Sequence, residues 1–150
     1  MAFLIVKYIH ILSAIAAVGL NISYGIWLAR AQSEPSNTTF ALKGIKFLDD
    51  RVANPAYGVL LLSGLLMVFL MPYPILTFWI DAALVLYVVL LVVAVTQYTP
   101  TLRNQIKLAE RGDMTSAEFA RLNGRNRVLG ALLGVIVLLI LVLMVFKPHL

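Results

Sequence analysis

The chain contains no cysteine. That removes disulfides, thiolate metal sites, iron–sulfur clusters and thiol nucleophiles. It has two histidines, His10 and His149. A zinc or copper centre needs three or four ligands, which His10 together with an acid such as Asp81 does not supply. No phosphate-binding glycine loop, HExxH, GxSxG or catalytically spaced carboxylate pair occurs. No internal repeat or low-complexity segment is visible either, and a transporter would commonly show an inverted repeat or broken helices. Charge is scarce, at 13% of residues, where a soluble domain carries about a quarter. The absences weigh against an enzyme of the common hydrolytic or nucleotide-using kinds.

What the chain has in quantity is apolar surface, at 61% of residues. A helix crosses the roughly 30 Å hydrocarbon core with about 20 such residues. Four segments qualify, at about residues 3–29, 52–71, 77–98 and 128–146. Their apolar runs are continuous and lack the alternation of a barrel strand. The reading is an all-α integral membrane four-helix bundle in a single domain. The first span resembles a signal peptide in its Ala29-Arg30-Ala31 ending, but its apolar stretch is too long for one.

Basic residues set the expected orientation. Ten of the twelve lysines and arginines fall in two loops, one from Arg30 to Arg51 and one from Arg103 to Arg127. Only Lys7 and Lys147 lie on the other side. The positive-inside rule then places both loops in the cytoplasm and both termini outside. A net charge of +5 distributed this way reports topology and lipid contact, and implies no nucleic acid.

Between spans two and three, "MPYPILT" reads as a tight outer turn stopped by Pro72 and Pro74. Asn54-Pro55 is a place where span two is open to interruption. Spans three and four are expected to continue inward as a cytoplasmic helical hairpin, with Pro100 a candidate kink. Gly112 would end the descending arm, and Thr115 and Glu118 have capping-box spacing. In the first loop, Phe40, Ile45, Leu48 and Val52 suggest an amphipathic face lying on the inner membrane surface.

Polar residues inside apolar helices need partners. With His10 set at zero, Ala14, Ala17, Asn21 and Tyr24 fall within roughly 40° of it on span one. That stripe should face other helices. Near the loop side, Asn21 and Tyr24 on span one and Asn54 and Tyr57 on span two form a candidate inner polar cluster. It serves either as interhelical glue or as a small-molecule site. Asp81, one turn into span three, either pairs with His10 or is a first-turn acid favoured by the helix dipole. Gly130 and Gly134 make a GxxxG on the face of Asn126, suited to packing within the bundle or between copies. His10 is the one candidate cofactor ligand. Haem on two histidines of one chain would need the terminal His149, which leaves one-histidine ligation or a haem shared between copies.

The segments "KYIHILSAIAAVGLNISYGIWLARA", "RVANPAYGVLLLSGLLMV", "FWIDAALVLYVVL" and "VLMVFKP" together resemble a small bacterial family of four-helix predicted integral membrane proteins of unknown function. The resemblance spans nearly the whole chain. It implies a multi-pass bacterial inner-membrane protein and no activity. A more distant likeness is to copper-resistance membrane domains and to the four-helix protoporphyrinogen oxidase. Both carry a first-helix histidine followed by an apolar–glycine pattern, as His10 and Gly19 do here. The oxidase likeness implies a haem role for His10, but the further histidines and the basic membrane residue of that group are absent.

Three functions are therefore carried forward. The first is a non-enzymatic accessory or binding subunit, acting as a homo-oligomer or within a larger membrane complex. The second is a haem- or porphyrin-associated redox protein using His10. The third is a small proton-coupled transporter using His10, Asp81 and the inner cluster.

Overall fold

The computed structural model describes residues 1–71 and 77–148, so Pro72, Pro74 and His149 lie outside the described residues. Six helices follow one another: α1 (Ala2–Ser33), α2 (Thr38–Leu48), α3 (Asn54–Leu70), α4 (Phe78–Val93), α5 (Thr99–Glu110) and α6 (Ala117–Phe146). A short 3₁₀ turn, Pro35–Asn37, reverses the chain between α1 and α2. Two π turns, Asp49–Ala53 and Ala94–Tyr98, join α2 to α3 and α4 to α5 without a break. Four of the resulting rods are long and apolar enough to cross a membrane.

Both π turns have one chemical cause. Each is followed two residues later by a proline, Pro55 or Pro100. Proline has no N–H to donate back four residues, and its ring crowds that carbonyl. Opening the preceding turn to π geometry relieves the crowding while the rod continues. Asn54-Pro55 therefore does not interrupt span two, as the sequence had allowed. Beside Pro100 the Thr101 hydroxyl donates to the Gln97 carbonyl (2.6 Å).

The spans are arranged as a diamond. α1 packs along α3 and α6, and α6 packs along α4. The fourth side, between α3 and α4, is closed by the Tyr87 hydroxyl, which donates to the Tyr57 carbonyl (2.8 Å). At the far end, Lys147 caps α6 in a left-handed conformation (φ 46°). Its ammonium stands 5.3 Å from the centre of the Trp79 ring, joining the end of α6 to the start of α4.

The largest of the fully buried side chains lie toward the loop side. Leu42, Ile45, Leu102 and Gln105 are each under 2% exposed, and all four belong to the loop-side layer of α2 and α5. α5 and the first turns of α6 form the expected helical hairpin. Gly112 supplies the left-handed residue (φ 76°) after α5, and the Asp113 N–H reaches back to the Leu108 carbonyl (3.0 Å). The spans themselves present isoleucine, valine and leucine outward along most of their length. That is stable in lipid, where such side chains gain little by hiding.

Three sequence readings are corrected. The cap of α6 is Ser116, whose hydroxyl accepts from the Phe119 N–H (3.1 Å), and Thr115 stands one residue outside it. Phe40 does not share a face with Ile45. Five residues put them about 140° apart, and α2 instead buries Ala41, Leu42 and Ile45 while Phe40 is 73% exposed. The Gly130–Gly134 motif does not pack within the bundle. Gly130 is exposed, and a Cβ built on either glycine meets nothing within 4 Å. Gly130→Leu is accordingly expected to leave the monomer's thermal stability unchanged. If copies associate through this face, the same variant lowers the dimer fraction in detergent, read by light scattering.

Candidate functional site

Polar side chains inside the spans gather at two depths. At the outer one, His10 on α1 meets Ser63 on α3, with Nδ1 and Oγ 3.0 Å apart. Ser63 also approaches the carbonyls of Val59 (2.6 Å) and Leu60 (3.2 Å). A hydroxyl has one proton, and the short contact to Val59 claims it. Where Ser63 is the acceptor, Nδ1 carries the imidazole hydrogen and the lone pair is on Nε2; the Leu60 backbone also hydrogen-bonds the ring. The ring lies against Gly64, where an added Cβ would stand 3.1 Å from the His10 Cε1. Gly64 is therefore what lets the imidazole reach Ser63.

Asp81 takes no part in this contact. It sits in the first turn of α4, after the N-cap Thr77. α4 does not adjoin α1, since α6 lies between them. The histidine–carboxylate pair weighed from the sequence is replaced by a histidine–serine pair.

At the inner depth, the Asn21 amide donates to the Ala17 carbonyl (3.0 Å) and to the Tyr57 hydroxyl. Tyr57 and Tyr87 stack edge to face, with centroids 6.5 Å apart. Asn54 turns the other way and hydrogen-bonds Asp49. Tyr24 is 4% exposed, and its hydroxyl has no partner among the described residues. Asp49 is the charge that bears on Tyr24, Tyr57 and Tyr98 together. Of the four residues read from the sequence, the structure joins Asn21 to Tyr57, while Asn54 bonds Asp49 and the Tyr24 hydroxyl joins neither pair. Sequence reading missed Asp49, Tyr87 and Tyr98. The signal for Asp49 was available, because "LDD" places two acids at the mouth of a span in a chain with only seven.

Between the two depths lies an apolar cavity of about 30 Å³, bordered by Ala14, Ala17, Leu60, Tyr87 and Val137. It matches about one water's share of liquid volume. A macrocycle does not fit there. Among the described residues, no three histidine, cysteine, aspartate or glutamate side chains are grouped to hold a metal ion.

A third polar group lies in the loop-side layer. The Asn126 amide donates to Gln105 Oε1, and Gln105 Nε2 donates to Asn123 Oδ1 (3.1 Å). Gln105 and Asn126 are 1% and 2% exposed. The carbonyl of the Asn126 amide is left without a partner among the described residues. This ladder fixes α5 against α6.

Four membrane-capable rods, an interior closed by side-chain hydrogen bonds, and a helical layer on one side define a polytopic all-α membrane protein. The chain belongs to the family described as "Predicted integral membrane protein (DUF2269)", which it matches over residues 4–148. No curated protein and no solved structure matches the chain.

Proposed function

We propose that the protein is a non-enzymatic subunit of the bacterial inner membrane. It has both termini outside and acts through its surfaces as an accessory or binding component of a larger membrane assembly. The observation that carries this reading is the use made of the interior polar groups. His10, Asn21, Tyr57 and Tyr87 are engaged with neighbouring helices, and the cavity between them holds about one water. Side chains used this way act as interhelical glue. The apolar gap also supports this reading over a proton-coupled path, because a relay needs hydrogen-bonding groups along its whole length.

The test is purification from native membranes in mild detergent. A defined assembly larger than the monomer is expected. His10→Ala should lower stability by about 0.5–2 kcal/mol, the range of a membrane hydrogen bond, with no change in visible absorbance. A solitary monomer that turns over a substrate would overturn the reading.

A second reading rests on the His10 tautomer. Ligating histidines characteristically donate their other ring N–H to an oxygen, and His10 Nδ1 stands 3.0 Å from Ser63 Oγ, which accepts in one of the two tautomers. That arrangement suits a haem held by Nε2 at the bundle surface, shared between two copies. Expression with ample haem and a spectrum before and after dithionite tests it. A Soret band lost in His10→Ala supports it, and a colourless protein removes it.

A further inference from the structure

Where the 3₁₀ turn folds the chain back, the end of α1 and the start of α2 enclose an open groove of about 390 Å³. Trp27, Arg30, Glu34, Asn37 and Phe40 line it. Trp27 and Phe40 are 46% and 73% exposed, so both rings face away from the protein interior. Trp27 closes the apolar run of α1, and Arg30 begins the polar segment after it. The groove therefore lies where hydrocarbon gives way to headgroups, the depth that tryptophan favours.

Two opposite charges share this groove as a loose, exposed i,i+4 ion pair. The Arg30 guanidinium lies 3.9 Å from Glu34 Oε1, beyond hydrogen-bond distance. Glu34 Oε2 is held by the Asn37 amide at 2.8 Å. A guanidinium with no hydrogen-bond acceptor among the described residues and a carboxylate held by Asn37 line one concavity, flanked by two exposed aromatic rings.

We propose that this groove binds the headgroup of phosphatidylethanolamine from the loop-side leaflet. The phosphate lies on Arg30, the primary ammonium on Glu34, and the glycerol and upper acyl chains cover Trp27 and Phe40. Arginine suits phosphate because its planar fork presents several donors at once. The carboxylate decides among lipids. An anionic headgroup without an amine meets Glu34 unfavourably, and a quaternary ammonium has no N–H to give it. The inference is independent of the accessory-subunit reading, and either can fail alone.

Native mass spectrometry of the purified protein tests it, with phosphatidylethanolamine, phosphatidylcholine and phosphatidylglycerol of matched acyl chains at equal concentration. The ethanolamine lipid should be retained several-fold more than either other. Glu34→Gln should abolish the preference for ethanolamine over choline, while Arg30→Gln should lower retention of all three. Both side chains are well exposed, so the variants are expected to fold, which circular dichroism checks. Equal retention of the three lipids overturns the proposal, as does a preference for phosphatidylglycerol or a selectivity unmoved by Glu34→Gln. A photo-crosslinker at position 40 gives the last arm. Lipid adducts support the proposal, and a protein dimer instead assigns the groove to a second copy.

Discussion

Leu102→Ala is expected to cost about 2–5 kcal/mol, the range for truncating a buried leucine. Leu102 is 1% exposed and shares its cluster with Leu42, Ile45, Tyr98 and Phe119. Except for Tyr98, these residues lie beyond the apolar stretches read from the sequence, toward the charged loop side, where water competes and the hydrophobic effect acts. Leu62 provides the contrast. It is 68% exposed on α3, and exchanging its contact with lipid chains for alanine changes little, because lipid is as apolar as the side chain. Leu62→Ala should therefore fall within about 0.5 kcal/mol of the parent. Equilibrium unfolding in mixed micelles measures both. If the two substitutions cost the same, the loop-side layer is not the anchor of the fold.

Gln105→Ala carries the second large effect. Gln105 is the acceptor for Asn126 and the donor to Asn123. Without it the Asn126 amide is enclosed with neither its N–H nor its carbonyl satisfied. Each stranded group costs about 1–3 kcal/mol, to which the truncation cavity adds. Asn126→Leu strands the Gln105 carbonyl in the same way. Replacing both by leucine removes the mismatch between the two buried amides, leaving only the half-buried Asn123 Oδ1 without its former donor. The expected result is strong coupling, with the double variant more stable than the sum of the single changes predicts. Simple additivity in a double-mutant cycle would show that the two amides do not act as a unit.

How much of this was legible beforehand follows from which forces were local. The four spans were readable because a bilayer demands long apolar runs, and each run stands alone in the sequence. The His10 stripe and the Asn21–Tyr57 contact were readable because helical periodicity and membrane depth bring them into register. The partner of His10 was not. Asp81 was the acid the sequence offered, and the order of the helices, with α6 between α1 and α4, removes it. Gly64 was hidden for the same reason, since its value is the space it leaves for an imidazole on another helix. The Gly130–Gly134 motif misled in one of its two readings because spacing specifies a smooth face without saying what lies against it. The loop-side layer was underestimated because its helices are short and mixed in character, and their burial depends on docking against one another.

The two π turns have a consequence for how the chain tolerates change in length. A π turn holds one residue more than the α turn it replaces, and one residue is worth about 100° of rotation. The rods through Asp49–Ala53 and Ala94–Tyr98 are therefore set out of phase at the membrane boundary. On one side of each offset the loop-side layer is in register, and on the other side Ser63 faces His10 and Tyr87 faces Tyr57. Deleting a single residue at either place would straighten the turn and roll the span about its axis, carrying these side chains off their partners together. These two stretches, one at the end of a sequence loop and one at the end of a span, are gearing, and insertions and deletions there are expected to be poorly tolerated.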